Sequence, residues 1–384
     1  MFDTGMLVRC ALGVSVATVW SLAQGQAEEP SARTRVRVQT VLKEAHLAGD
    51  FYGAALVALD GKIVYQGAFG PADAEWNVPN APDVHHGIAS LTKSFTAHVV
   101  MALVDRGAVK LDDALSVHMP EFQGRRIGGI TLRQLLSHTA GIGDHLQFVN
   151  DEIPAEISKR WEGFSGASIA MFKELAPYAK LVEVPGERFH YSYDGYVLLG
   201  LVVEAVTKKS FEQNLRDLVL DPAKMAASGI NHHKTILPRR ARSYRLENGA
   251  LQNAPWDDSG SHFSAGGMYS TVGDLYRWDR ALRAGSVVSK AIQTSMTTPM
   301  KGEAWNVFGF RQFGLGWWLN THETLGRLAM HPGASPQYSA VLVRGLDRDL
   351  VIIALANVSS VSSMNKYVPA LIDALVEPIA KSRK

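Results

Sequence analysis

The stretch "GIASLTKSF" (87–95) places Ser90 one helical turn before Lys93, among Ile88, Ala89, Leu91 and Phe95. A serine hydroxyl is a poor nucleophile until a neighbouring base takes its proton. A lysine three residues along a helix shares the serine's face. In apolar surroundings an ammonium group gives up its proton more easily, and the free amine can then act as a base. The pair therefore suits acyl transfer, with Ser90 attacking and Lys93 accepting its proton. A serine at a helix N-terminus also offers its backbone N–H to an oxyanion. A second S-x-x-K, Ser363 and Lys366 in "SSMNK", is read as a polar lead-in to a C-terminal helix.

The elements that must position this pair are legible from pattern. Residues 34–49 predict an amphipathic helix, and "GAALVALDGKIVYQGAFG" (53–70) predicts two strands turning at Asp60-Gly61. A helix is expected from near Ser90 to Gly107, where a glycine stops it. The middle of the chain reads as mostly helical. Strands return in "FGLGWWL" (313–319), "RLAM" (327–330), "YSAVLVRG" (338–345) and "DLVIIALAN" (349–357), before a last helix over about 366–380. Strands at both ends predict an α/β (α+β) fold: an antiparallel sheet flanked by N- and C-terminal helices, with an inserted mostly helical domain. The sheet part would span about 34–88 plus 300–384, the helical part about 90–299, and a cleft between them is the natural site.

Composition narrows the classes of function. With 46% hydrophobic residues in 384, the chain can bury a sizeable core. A net charge of +2 gives no nucleic-acid footprint, and the basic run "PRRARSYR" (238–245) reads as a solvated loop. Residues 1–27 read as a secretory signal: Arg9 precedes an apolar run from Cys10 to Ala23, and small residues lead to Ala27. Its removal would leave a periplasmic or secreted protein without stable membrane insertion. Cys10 is the only cysteine, so the mature chain would hold no disulfide, thiol nucleophile or cysteine-ligated zinc.

Other stretches give the serine–lysine pair its context. "LLSHTAGI" (135–142), "PGERFHYSYDGYVLLG" (185–200), "SAGGMYSTVGDLYRW" (264–278), "FGLGWW" (313–318) and "HPGASPQYSAVLV" (331–343) follow in that order. From about residue 35 onward the chain resembles the serine β-lactamase and penicillin-binding protein superfamily. It is most similar to the branch of class C β-lactamases, D,D-carboxypeptidases, D-aminopeptidases and related esterases. In class A enzymes and penicillin-binding proteins S-x-x-K is joined by S-D-N and K-T-G motifs; in the branch resembled here the second motif begins with tyrosine. The resemblance implies Ser90 as the acylated nucleophile, Lys93 as its base or proton relay, and Tyr191 as the tyrosine that shuttles a proton to the leaving group. Lys93 would lower the Tyr191 pKa. His331 falls at the first position of the K/H-x-G motif, Gly333 would let substrate approach the strand, and the N–H of Ala334 would join that of Ser90 as the oxyanion hole. The implied reaction is two-step acyl transfer on a small-molecule ester, amide or peptide, with no metal or cofactor.

Three positions depart from the pattern. Tyr193 stands where the family often has asparagine, which in β-lactamases contacts the amide carbonyl of the substrate side chain. His331 replaces lysine and offers less attraction to a substrate carboxylate. Gln337 in "SPQY" takes a glycine position. Together they favour an esterase or peptidase over a β-lactamase or D,D-carboxypeptidase. A catalytically silent cell-wall-peptide-binding protein is the alternative of another class. His138 is expected to tie a loop, Asp194 and Glu187 to serve turns or caps rather than form a glycosidase pair, and Trp317 and Trp318 to form core and cleft wall. Adjacent side chains in His85-His86 and His232-His233 point apart, which suits no metal site.

Overall fold

A computed structural model of the chain describes residues 30–144, 153–161, 168–358 and 361–381. The proposed signal segment lies outside them. Seven antiparallel strands form the main sheet: β1 (Gly53–Leu59), β2 (Lys62–Phe69), β3 (Gln312–Phe313), β4 (Trp318–His322), β5 (Gly326–Ala334), β6 (Ser339–Gly345) and β7 (Leu350–Ala356). Their order is β3-β4-β5-β6-β7-β1-β2, so the first and last strands of the sheet in chain order pair with each other inside it. Gly53 pairs with Ala356 and Leu59 with Leu350. The β1–β2 turn has φ of 50° at Asp60 and 75° at Gly61, the left-handed pair that a tight hairpin requires.

Each strand divides its side chains between two cores. Leu56 of β1 and Ile353 and Leu355 of β7 face the helical part. Val57, Ile352 and Ala354 face the opposite side, where α1 (Pro30–Leu47) supplies Val38 and Leu42 and α5 (Val361–Lys381) supplies Val368 and Leu371. Both faces of the sheet are therefore dry, which explains why β7 reads as an unbroken apolar run. Each fully buried aliphatic side chain contributes on the order of 1.5–3 kcal/mol.

The helical part between residues 90 and 300 contains α2 (Thr92–Asp105), α3 (Tyr193–Thr207) and α4 (Val272–Ala284). It also holds a hairpin of Tyr244–Glu247 with Ala250–Asn253. The expected α/β architecture with a helical insertion stands. Two strand expectations change. "FGLGWWL" is not one strand: the Gly314 N–H donates to the Trp317 carbonyl at 2.8 Å, making a turn between β3 and β4. "RLAM" is the middle of a longer strand that runs to Ala334. The second S-x-x-K lies inside α5, whose Ser363 Oγ and Lys366 Nζ both donate to Asp50 Oδ1, at 2.7 and 3.0 Å.

Candidate active site

Ser90 occupies a single 3₁₀ turn, Ala89–Leu91, that feeds directly into α2. Ala89 has φ of 44°, a conformation that costs a non-glycine residue about 1–3 kcal/mol and that surroundings must enforce. They do so from both sides. The Ile88 N–H donates to the Met268 carbonyl at 2.9 Å, and the Met268 N–H to Thr92 Oγ1 at 3.2 Å. Across the turn, a Cβ on Gly333 would lie 2.0 Å from the Ile88 carbonyl oxygen. The missing side chain of Gly333 thus admits the backbone of the serine turn. Ala334 follows it at the exposed end of β5.

Lys93 is fully buried. Its Nζ donates to Ser90 Oγ at 3.1 Å and to the Ala265 carbonyl at 2.7 Å. The rings of Tyr191, Tyr193 and Tyr196 surround it, with centroids 5.1, 5.3 and 5.9 Å away. Burial lowers its pKa to about 7, against a weaker pull upward from Asp144 and Asp194. A pKa near neutrality means that a large share of Lys93 is free amine, as a proton acceptor for Ser90 requires.

Tyr191 lies stacked on His138, ring centroids 4.2 Å apart. His138 ties down the loop that carries it: its Nδ1 accepts the Ser192 N–H at 3.1 Å, and its carbonyl accepts the His190 N–H at 2.7 Å. The expectation that Lys93 lowers the Tyr191 pKa is not met. Burial pushes the phenol up, its hydrogen bond with Ser90 offsets part of this, and Asp144 adds to the rise. Tyr191 therefore holds its proton at neutral pH and is equipped to give one.

His331 is placed beneath the site, not on its surface. It is fully buried, and its Nδ1 donates to the Pro332 carbonyl at 2.7 Å. Burial and the nearby Lys93 lower its pKa to about 3, so it carries no charge toward a substrate carboxylate. Asp194 is buried in the first turn of α3, while Glu187 is exposed on a loop. Trp317 lies in the core against Trp278, with ring centroids 5.5 Å apart. The histidine pairs separate as adjacent residues should. His86 pairs with Asn80 and His85 with the Pro238 carbonyl; His232 pairs with Glu212 and His233 with Asp258. Arg239 and Arg242 of the basic run pair with Asp83 and Glu75.

Two cavities meet at Ser90 and Ala334, which line both. One, of about 300 Å³, has the polar side chains of Asp144, Tyr193, Ser259, His262 and Tyr338 in its wall. The other, of about 310 Å³, is aromatic, with Tyr191, Trp305, Phe308 and Trp318. Sequence reasoning singled out Tyr193 but not Asp144, Ser259, His262 or Trp305. One weak signal was available, since Asp257 and His262 shortly precede the paired glycines 266 and 267. Gln337 holds this wall in place: its Oε1 accepts from Ser259 Oγ at 2.9 Å.

Comparison with known proteins gives this arrangement a family. The family description "Beta-lactamase" matches residues 38–376. Penicillin-binding protein 4* of Bacillus subtilis (strain 168) is 26% identical over 345 residues, covering 84% of this chain and 72% of that protein. The D-amino acid amidase of Ochrobactrum anthropi SV3, solved with L-phenylalanine, superposes with a TM-score of 0.73 at 23% identity, covering 91% of this chain and 99% of that one. EstCE1, titled a hydrolase with promiscuous acyltransferase activity, gives 0.76 at 22% identity over 90% and 99%. The last two likenesses establish the shared fold.

Proposed function

The chain belongs to the β-lactamase family, an enzyme of the serine-hydrolase superfamily, and from that premise we propose that it acts through an acyl-enzyme on Ser90 with ester or amide substrates. The observation that carries the reading is the 3.1 Å contact between Ser90 Oγ and a buried Lys93 whose pKa lies at about 7. The Lys93 amine takes the Ser90 proton as Oγ attacks the carbonyl. The N–H groups of Ser90 and Ala334 receive the oxyanion. Tyr191 gives its proton to the departing group and is reprotonated through Lys93, after which water enters and releases the acid. Serine, lysine and tyrosine suffice for this sequence, and no step calls on a metal or cofactor.

Within the family, an esterase or amidase fits better than a β-lactamase or D,D-carboxypeptidase. The latter two bind a substrate carboxylate, which calls for a cation at the cavity wall. His331 is neutral and buried, and among the described residues no lysine or arginine lines either cavity. The sequence of residues 1–27 supports export to the periplasm or beyond. Among the described residues no helix is long and apolar enough to cross a membrane.

The test is hydrolysis of p-nitrophenyl butyrate together with intact-protein mass after exposure to excess benzylpenicillin, on the wild type and Ser90→Ala. Ester turnover that disappears in the variant supports the reading. A long-lived penicilloyl adduct on the wild type would move the assignment to a penicillin-binding peptidase, and rapid penicillin turnover to a β-lactamase. Neither turnover nor adduct would leave the silent binder.

A further inference from the structure

The two cavities that meet at Ser90 differ in their access to Tyr191, which lines the aromatic one and not the other. The other has in its wall a chain in which the Tyr193 hydroxyl meets His262 Nδ1 at 3.1 Å and His262 Nε2 meets Asp257 Oδ2 at 2.8 Å. In the proposed acylation, Ser90 Oγ bonds to the carbonyl carbon. The bond from that carbon to the leaving oxygen or nitrogen breaks, and the leaving atom takes the Tyr191 proton. Such a transfer needs hydrogen-bond distance. The leaving atom must therefore stand beside the Tyr191 hydroxyl, with the group attached to it directed into the aromatic cavity.

That cavity suits a flat, uncharged group. Among the described residues no Asp, Glu, Lys or Arg lines it. Trp318 is buried in β4 and Met364 in α5. Trp305 is 56% exposed and leans on Tyr191 and Phe189, with ring centroids 6.1 and 5.8 Å away. It stands just before a turn closed by two 2.9 Å hydrogen bonds between the backbones of Val307 and Phe310. Within the turn Phe308 has φ of 52°, which a bulky residue rarely adopts, and it lines the cavity from that position. Aromatic walls hold another ring by edge or offset contacts, whereas a saturated group of the same size gains burial alone. A cation is disfavoured, because Lys93 Nζ, partly ammonium at neutral pH, lies 5.1 Å from the Tyr191 ring centroid.

We propose that the aromatic cavity receives the leaving group, and that the substrates are esters or amides of an alcohol or amine carrying an uncharged aryl group. Trp305, at the open rim, is the residue that selects it. The proposal rests on the reading of Ser90 as the acylated residue with Tyr191 as proton donor, and its test separates the two.

The probes are the acetates of 2-phenylethanol and 2-cyclohexylethanol, with acetylcholine as the cationic ester. Ethyl 3-phenylpropanoate and ethyl 3-cyclohexylpropanoate carry the same rings on the acyl side. Each is scored by kcat/KM, divided by its rate of alkaline hydrolysis, and as a protectant against labelling of Ser90 by a fluorophosphonate, followed by intact mass. The expected phenylethyl-to-cyclohexylethyl ratio is about five or more, as favourable ring contacts give. The two propanoates should show no such ratio, and acetylcholine should fall below the phenylethyl ester. Trp305→Leu should bring the phenylethyl ratio to about one, and Phe308→Leu should lower it. Ser259→Ala, in the other cavity, should keep it. Labelling of Ser90 with a phenylethyl ratio near one, or with neither turnover of nor protection by that ester, overturns the proposal. So does a ratio that survives Trp305→Leu, an aryl preference confined to the propanoates, or acetylcholine as the best ester. Failure of the fluorophosphonate to label Ser90 overturns the acyl-enzyme reading, and this proposal with it.

Discussion

Lys93 and Arg344 are both buried cations, and the protein holds them in opposite ways. Arg344 donates from Nε to Asp279 Oδ1 at 2.9 Å, and Arg283 and Arg280 close on the same carboxylate, with Asp349 beyond. Burial pushes the Asp279 pKa up, yet the surrounding guanidinium groups hold it below the usual carboxylate value. Charge here is matched by charge and does not change. Among the described residues Lys93 donates only to neutral oxygens, those of Ser90 and Ala265, and the Asp144 and Asp194 carboxylates act from farther away. A buried cation with a counter-ion in contact is permanent structure. One without it titrates, and that makes it useful as a base.

The sharpest way to break the comparison is Lys93→Met. Activity per folded molecule on p-nitrophenyl butyrate should fall by roughly a thousandfold, as loss of a general base does. The melting temperature should hold or rise, since an unpaired buried charge is removed. A large loss of stability, read by calorimetry, would place Lys93 with Arg344 as structure. Asp279→Ala is the mirror experiment. It leaves Arg344 buried without its partner and should cost about 3–5 kcal/mol of stability, read by urea unfolding, while kcat/KM per folded molecule holds.

A third test changes the solvent rather than the chain. The Lys93 base must be unprotonated, so kcat/KM should rise with pH through about 7 and fall roughly tenfold per unit below it. A flat profile between pH 5 and 8 would remove Lys93 from that role. The smallest effect belongs to the other S-x-x-K. The Lys366 side chain is 67% exposed where it meets Asp50, so Lys366→Ala should cost less than about 1 kcal/mol and leave turnover unchanged. The spacing is identical at Ser90 and Ser363, and burial is what distinguishes the proposed reactive pair from a surface tie.

That contrast marks what the sequence could and could not reveal. Ser90, Lys93 and Tyr191 were singled out because the proposed chemistry calls for them at short spacings or in ordered motifs, and the structure brings all three together. The Asp60-Gly61 hairpin was found because its backbone admits few residue types. Asn248-Gly249 carries the same signal, with φ of 51° and 79°, and was passed over inside a region read as helical. The Tyr193–His262–Asp257 chain has no local signature, since 69 residues separate Tyr193 from His262. The packing role of Gly333 was missed for a related reason: the atom it makes room for belongs to Ile88, far away in sequence. The pKa shifts of Tyr191 and His331 depend on burial that composition cannot assign to a particular residue.

The pairing of β1 with β7 bears on the order in which the molecule can assemble. Residue 53 waits for residue 356, and a chain cut before residue 350 loses an interior strand, leaving β6 and β1 each with one unpaired edge. Pairings so distant in sequence are closed late, because the intervening loop must be ordered first. The strained turn at Ala89 depends on that late sheet, since Gly333 of β5 is wedged against it. Helix α2 can therefore form early without a working nucleophile. During refolding, helical signal should return before hydrolysis does, and the lag between them would time the closing of the sheet.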